Sequence, residues 1–201
     1  MARIDSIAAL EALYPPASEN SLRKVAHSLT PTYRAWIAAS RFCLVSTVGP
    51  EGTDCSPRGD RGPVVRMRGD RTLLLPDWPG NNRIDSLRNI VRDPRVSLLF
   101  MVPGAQTVVR VNGTAEISTD ADDLAPFADG PRLPRSAVVI TLDEVYVQCS
   151  KAVIRAGLWR GEDDSAQVPT LGEMIAEASD GAVEAGRFDA EFPDRAARTL
   201  W

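Results

Sequence analysis

The feature that most constrains the fold is a series of short apolar runs, separated by glycine and proline turns, between residues 42 and 149. The runs at 42–48, 64–68, 72–75, 96–102, 107–117 and 138–149 have the composition of β-strands. Turn dipeptides between them, such as Gly69-Asp70 and Pro103-Gly104, favour hairpins. An Asn112-Gly113 step inside one run predicts a β-bulge. The pattern therefore predicts a barrel or sandwich of antiparallel strands.

Both ends of the chain have helical character. Residues 1–40 form a predicted N-terminal helical segment, with one helix at about 21–28 and another that begins after the N-cap Thr30 and Pro31. Residues 41–160 form the β-rich domain, with helices predicted near 84–92 and 121–127. Residues 161–201 form a helical extension of the same domain, in which Thr170 caps one helix. The fold class is thus mainly β with flanking α-helices.

Composition and charge exclude several classes of protein. The net charge of −4 argues against a nucleic-acid-binding protein. No apolar run approaches the roughly 18 residues of a membrane helix, and the N-terminus lacks a signal sequence, so a cytoplasmic protein is expected. Three widely spaced cysteines and a single histidine, His27, offer no metal-site spacing, and no metal is predicted. Phosphate-loop, Rossmann and nucleophile-elbow motifs are absent.

The stretch at residues 73–83 is a candidate phosphate-binding site. A buried apolar run ends at two prolines and a glycine, after which Asn81 and Asn82 can cap the helix at 84–92. A helix N-terminus offers unpaired N–H groups, and Arg83 adds a positive charge there. The alternative is an ordinary strand–turn–helix corner with a solvated arginine.

A second candidate is the Ser-Pro-Arg-Gly-Asp sequence at residues 56–60, which is followed by Arg61, Gly62 and Pro63. We interpret it as a loop whose arginines, aspartate and open glycine backbone could hold a planar anionic ligand. A surface loop with solvated charges is the alternative.

These blocks, taken in order, resemble the pyridoxamine 5′-phosphate oxidase-like flavoproteins, the FMN-binding split β-barrels. The resemblance rests on residues 56–60, Leu-Leu-Pro-Asp at 74–77, Pro-Gly-Asn-Asn-Arg at 79–83, Asp-Pro-Arg-Val at 93–96 and Arg-Val-Asn-Gly-Thr at 110–114. Lys-Ala-Val-Ile-Arg at 151–155 and Leu-Gly-Glu-Met-Ile at 171–175 extend it into a bacterial subgroup of unassigned function. The resemblance implies an α+β split barrel, FMN as cofactor, and a homodimer with flavin sites at the interface.

The resemblance also implies a set of site residues. Asn82 and Arg83 would bind the FMN phosphate, and Arg58 would join the phosphate or the ribityl site. The isoalloxazine ring would lie against the backbone at Gly59-Asp60 and Pro76-Asp77. The full cofactor-binding set is Ser56, Arg58, Gly59, Asp60, Pro76, Asp77, Asn82, Arg83, Thr107, Val108, Lys151 and Trp159.

Four of these residues lie outside the blocks assigned to the phosphate and the ring. Val108, with Thr107 beside it, stands where the family places an amide or hydroxyl at the polar edge of the flavin. Lys151 and Trp159 would reach the site of the neighbouring subunit, with Lys151 as the catalytic group that stabilises negative charge on the reduced ring. The alternatives are a solvated lysine at a strand end and a core or interface tryptophan.

The implied function is that of an FMN-dependent oxidoreductase, which transfers hydride or electrons to or from a small organic substrate with a nicotinamide cofactor as reductant. The flavin supplies the redox chemistry, so the lack of a histidine, cysteine or paired-acid catalytic set is expected. Oxidation of pyridoxamine phosphate itself is not expected, because the family's C-terminal Arg-x-His signature is missing. The alternative is a non-catalytic protein that binds flavin, deazaflavin or haem.

Overall fold

A computed structural model describes residues 3–200 and is built around one sheet of seven antiparallel strands. Their order across the sheet is β2-β1-β5-β6-β7-β4-β3. The strands are β1 Phe42–Gly49, β2 Gly52–Gly59, β3 Arg66–Arg68, β4 Thr72–Asp77, β5 Arg95–Met101, β6 Val108–Ser118 and β7 Ser136–Gln148. The mainly β fold class predicted from the sequence is confirmed.

Helices lie at both ends of the chain and between strands of the sheet. They are α1 Ile7–Glu11, α2 Glu19–Arg23, α3 Pro31–Ala39, α4 Asp85–Arg92, α5 Ala121–Leu124, α6 Lys151–Ala156, α7 Leu171–Ala178 and α8 Ala185–Thr199, with short 3-10 turns at Ala125–Phe127 and Ser165–Gln167. Thr30 caps α3, as predicted, because its hydroxyl accepts from the Tyr33 N–H. Thr170 and Glu173 form a reciprocal capping box at α7.

The core lies between one face of the sheet and the helices α3 and α4. Alternate residues of β1 and β5 point inward, and Leu98 and Phe100 are fully buried. Ile37 of α3 and Ile90 of α4 pack against them. Asn89 of α4 donates to the Thr47 hydroxyl at 3.1 Å, which fixes this helix over β1. The amphipathic helix α4 is therefore held both by its apolar face and by one buried amide.

The predicted bulge at Asn112-Gly113 is confirmed. The register of β6 against β7 shifts there, and Asp143 is the extra residue on β7. A Cβ atom on Gly113 would lie 2.0 Å from the Thr141 carbonyl oxygen, so only glycine fits this close approach of the two strands. The Asp143 carbonyl accepts a hydrogen bond of 2.8 Å from His27 Nδ1, so the single histidine ties the N-terminal segment to the bulge.

Three predictions about local structure are wrong. Residues 56–59 are not a loop but the second half of β2, where Pro57 is tolerated because β2 is the edge strand of the sheet. Residues 151–159 do not continue β7, since α6 begins at Lys151 and ends at Gly157 in the left-handed conformation. The second N-terminal helix ends at Arg23, five residues before its predicted end.

The outermost residues of the predicted terminal segments, Met1, Ala2 and Trp201, lie outside the described residues. Between residues 3 and 200, none of the helices has the length and apolar character needed to cross a membrane.

Candidate functional site

A cavity of about 490 Å³ opens between the edge strand β2, the end of β4 and the start of α4. Its walls come from four separate parts of the chain, of which only two were singled out in the sequence. The lining residues are Asp54, Ser56, Pro57, Arg58, Gly59, Val64, Leu75, Pro76, Asp77, Trp78, Pro79, Gly80, Asn81, Asn82, Arg83, Ile84, Asp85, Ser86, Leu87 and Arg135.

A polar network spans the cavity from β2 to α4. Asp54, Ser56 and Arg58 share one face of β2 because side chains alternate along a strand. The Arg58 guanidinium donates to the Ser56 hydroxyl, to the Pro57 carbonyl at 2.9 Å and to the Ser86 hydroxyl at 3.4 Å. The Ser86 hydroxyl in turn donates to the Asp54 carboxylate. The network holds a half-buried guanidinium beside the first turn of α4.

The turn that leads into α4 has a backbone that few residues adopt. Asn82 and Ile84 have φ angles of 59° and 53°, in the left-handed region. That conformation is costly for a β-branched residue such as Ile84, so the surrounding structure must impose it. Such strain is concentrated at functional sites.

The predicted capping of α4 by Asn81 and Asn82 is wrong. Ile84 is the N-cap residue and provides no side-chain cap. The Asn81 carboxamide oxygen instead accepts from the Arg83 N–H at 3.1 Å, within the turn. Asn81 therefore closes an Asx turn and does not cap the helix. The first turn of α4, at the positive end of the helix dipole, therefore faces the cavity without a side-chain cap.

Two further arginines lie at the cavity. Arg83 is largely exposed and its Nε lies 2.8 Å from the Asp85 carboxylate, which raises the pKa of the guanidinium and keeps it charged. Arg135 precedes β7 and donates to the Asn82 side-chain oxygen at 3.0 Å. Arg135 thereby holds the strained turn against the end of β4.

The cavity also contains an acid, Asp77, whose charged form is disfavoured by burial. Burial raises the pKa of the Asp77 carboxyl above its usual value, although Arg58 and Arg135 act in the opposite direction. Val64 and Leu75, both buried, supply an apolar wall nearby. Cationic groups, N–H donors and an apolar wall are the combination that a phosphorylated ring compound requires.

The structure brings together seven of the twelve residues proposed from the sequence. These are Ser56, Arg58, Gly59, Pro76, Asp77, Asn82 and Arg83, which all line the cavity. The other five, Asp60, Thr107, Val108, Lys151 and Trp159, do not line it in a single chain.

Thr107 is half-buried just before β6, and the other four outlying residues also lie away from the cavity. The Asp60 carboxylate accepts from the Gly62 N–H at 3.3 Å, and Val108 is buried where β6 begins. Lys151 is exposed at the start of α6, and Trp159 donates to the Ala105 carbonyl at 2.8 Å. Neither Lys151 nor Trp159 lines this cavity within one chain, and their role in the site of a neighbouring subunit stays a prediction.

Several residues that line the cavity were not predicted from the sequence. Asp54 carries a signal, because it lies two and four residues before Ser56 and Arg58 in what proves to be a strand. Ser86 lies in the first turn of α4. It could not be recognised as a cavity residue because the sequence did not locate the N-cap at Ile84. Arg135 gives no local signal at all. It reaches the site because β7 pairs with β4, with Ser136 opposite Asp77.

The cavity lining contains no histidine, cysteine, methionine or tyrosine, the side chains that ligate haem iron. Over residues 3–200, no group of three or more histidine, cysteine, aspartate or glutamate side chains is arranged to hold a metal ion. The donor set of the cavity suits an anion.

Comparison with known proteins agrees with this arrangement. The sequence profile of a family described as pyridoxamine 5′-phosphate oxidase matches residues 29–149, a range that includes every residue lining the cavity. No curated protein matches the chain.

Among solved structures, HupZ of Group A Streptococcus is 22% identical over 59% of this chain and 93% of its own, with a TM-score of 0.48. General stress protein 26 of Bacillus anthracis is 18% identical over 57% and 88%, with a TM-score of 0.43. An FMN-binding protein of Syntrophomonas wolfei is 11% identical over 58% and 80%, with a TM-score of 0.43.

Proposed function

Because the chain belongs to the pyridoxamine 5′-phosphate oxidase family, we propose that it is a flavoprotein that binds FMN in the cavity between β2, β4 and α4. The observation that carries the proposal is the Arg58–Ser86 network, which places a fixed guanidinium and a hydroxyl beside the uncapped start of α4. This is the part of the cavity that suits a dianionic phosphate.

The residues present fit FMN in size and chemistry. The volume of about 490 Å³ lies within the roughly 300–1,000 Å³ of small-molecule sites. Arg58, Arg83 and Arg135 offer three guanidinium groups for a phosphate, while Val64 and Leu75 offer an apolar surface for a ring. The lining carries three aspartates as well as three arginines, so individual guanidinium groups and the start of α4, not a net positive charge of the cavity, would attract the phosphate.

Each group has a defined task in this proposal. Arg58 forms hydrogen bonds to the phosphate, and Ser56 and Ser86 hold its guanidinium in place. Arg135 keeps the Asn82 turn in the conformation that presents the first N–H groups of α4. The bound flavin would supply hydride or electron transfer, and the protein supplies position and electrostatics.

We further propose that the protein is an oxidoreductase that acts on a small organic substrate, with a nicotinamide cofactor as electron donor. A second copy of the chain would complete the site with Lys151 and Trp159. The support for a second copy is a row of side chains that crosses five strands on the solvent side of the sheet and stays partly exposed in the single chain. The row consists of Pro57, Leu44, Leu99, Arg110 and Tyr146, each opposite the next in register.

The test is a titration of the purified protein with FMN and with riboflavin, which lacks the phosphate. We expect FMN to bind at least tenfold more tightly than riboflavin, and light scattering to give twice the chain mass of 21.8 kDa. Equal affinities would show that the cavity is not a phosphate site. Oxidation of a nicotinamide cofactor by the FMN-loaded protein would separate an enzyme from a non-catalytic flavin binder.

A further inference from the structure

A second pocket of about 420 Å³ adjoins the proposed FMN cavity on the outer side of α4. The two share Asp54, Arg83 and Asp85 as a common wall. The remaining lining residues are Glu51, Gly52, Thr53, Arg88, Asn89 and Arg92, from the β1–β2 turn and from α4. A ligand group in the second pocket would therefore be a direct neighbour of a phosphate in the first.

Three arginines line this pocket, and they differ in how they are paired. Arg83 and Arg92 already have carboxylate partners, Asp85 and Glu51 respectively. The Arg88 guanidinium, on the helix turn between them, has no hydrogen bond or ion pair within residues 3–200. Of the acids at the pocket, Asp54 is already engaged by the Ser86 hydroxyl. Arg88 is thus a charged group that is positioned at a concave surface and available to a ligand.

The position of Arg83 in the wall between the two pockets limits the chemistry of a ligand in the second pocket. Arg83 belongs to both pockets, so its guanidinium would lie between the two anionic groups, in a wall that also contains the carboxylates of Asp54 and Asp85. Guanidinium groups bind phosphoryl oxygens in bidentate geometry, and neighbouring arginines suit neighbouring phosphoryl groups. The rim residues Glu51 and Arg92 are exposed, so whatever extends beyond the second phosphoryl group would lie in solvent.

We propose that this pocket is a second phosphoryl subsite, with Arg88 as its principal ligand-binding side chain. It takes a phosphoryl group next to that of the bound flavin, either the second phosphate of a flavin adenine dinucleotide or a phosphate of a nicotinamide dinucleotide that docks beside FMN. The inference rests on the proposed function, because it needs a flavin phosphate in the first cavity.

The experiment compares the parent with Arg88→Ala and with Arg95→Ala, a matched control. Arg95 is an exposed arginine that pairs with Asp93 and lines neither pocket. Dissociation constants are measured for FMN and for chromatographically purified FAD, and for NADPH added to the FMN-loaded protein. For one of the two dinucleotides, we expect Arg88→Ala to weaken binding about tenfold or more. FMN affinity should stay within twofold, and Arg95→Ala should match the parent throughout.

Each result has a defined meaning. Selective loss of FAD affinity assigns the subsite to a dinucleotide flavin, and selective loss of NADPH affinity assigns it to the electron donor. If Arg88→Ala leaves both dinucleotide affinities within twofold of the parent while FMN still binds, the second subsite is refuted and the first cavity stands. Failure of the parent to bind any flavin would instead refute the proposed function.

Discussion

Arg58→Gln is the substitution that tests the proposed phosphate site most directly. The Arg58 guanidinium donates to Ser56, Pro57 and Ser86, so it is held in place before any ligand arrives. A preorganised guanidinium loses little conformational entropy on binding, and a charged hydrogen bond to a phosphate contributes about 1.5–3 kcal/mol. The variant should therefore bind FMN about ten- to 150-fold more weakly.

The fold should tolerate the change. Ser86 keeps its hydrogen bond to Asp54 when the arginine is removed, and Ser56 lies on an edge strand that is partly open to water. The loss in unfolding free energy should stay at about 1 kcal/mol or less. Arg58→Lys keeps the charge but not the forked geometry, so its FMN affinity should lie between those of the parent and Arg58→Gln.

The assay is a fluorescence titration of each protein with FMN and with riboflavin. If Arg58 binds the phosphate, only the FMN affinity should fall, and the riboflavin affinities of parent and variant should agree within twofold. Arg95→Gln controls for the general loss of one positive charge. FMN binding by Arg58→Gln within twofold of the parent would refute the reasoning.

Three further predictions concern stability, pH and the flavin potential. Gly113→Ala should lower the free energy of unfolding in urea by about 1–3 kcal/mol or more, because the added methyl meets the Thr141 carbonyl oxygen. Gly62→Ala is the control and should be neutral, because open space surrounds Gly62. Equal effects of the two substitutions would contradict this explanation. Burial raises the pKa of Asp77 in the folded protein above its usual value of 3.8. The free energy of unfolding should therefore fall as the pH rises from 3.8 through the folded-state pKa, because the buried carboxyl loses its proton there. Asp77→Asn should remove that decline in a series of urea titrations, and an unchanged pH profile would count against it. Lys151→Met should fold and bind FMN like the parent yet show a lower flavin midpoint potential and slower reduction, and parental values for both would reduce Lys151 to a surface residue.

The strands were largely predictable because their signals are local. Alternating apolar residues and turn dipeptides located six of the seven strands. They did not locate β2, whose second half contains Pro57 and Gly59 and resembles a loop. The edge position that permits a proline is a property of strand order, which the local pattern does not contain.

The candidate site was predictable only in part, for the same reason. Two local blocks supplied Arg58 and Arg83, whose charges and neighbouring glycines are visible in the sequence. Arg135 depends on the pairing of β7 with β4. Ser86 depends on an N-cap at Ile84, which lies two residues after Asn82 and three after Asn81. Ile84 in a left-handed conformation contradicts its residue preference, so tertiary contacts decide it.

The tie between the N-terminal segment and the bulge has a consequence for synthesis of the chain. His27 and Asp143 are separated by 116 positions, and Ala26 forms two backbone hydrogen bonds with Val145. In a nascent chain, residues 26 and 27 can therefore dock only after β7 has left the ribosome, and until then β4 and β6 each lack a neighbouring strand. Chains that stall before residue 136 would present two open edges, on β4 and β6, in addition to the outer edges of β2 and β3. Incomplete synthesis is therefore a stage at which this protein is prone to aggregate.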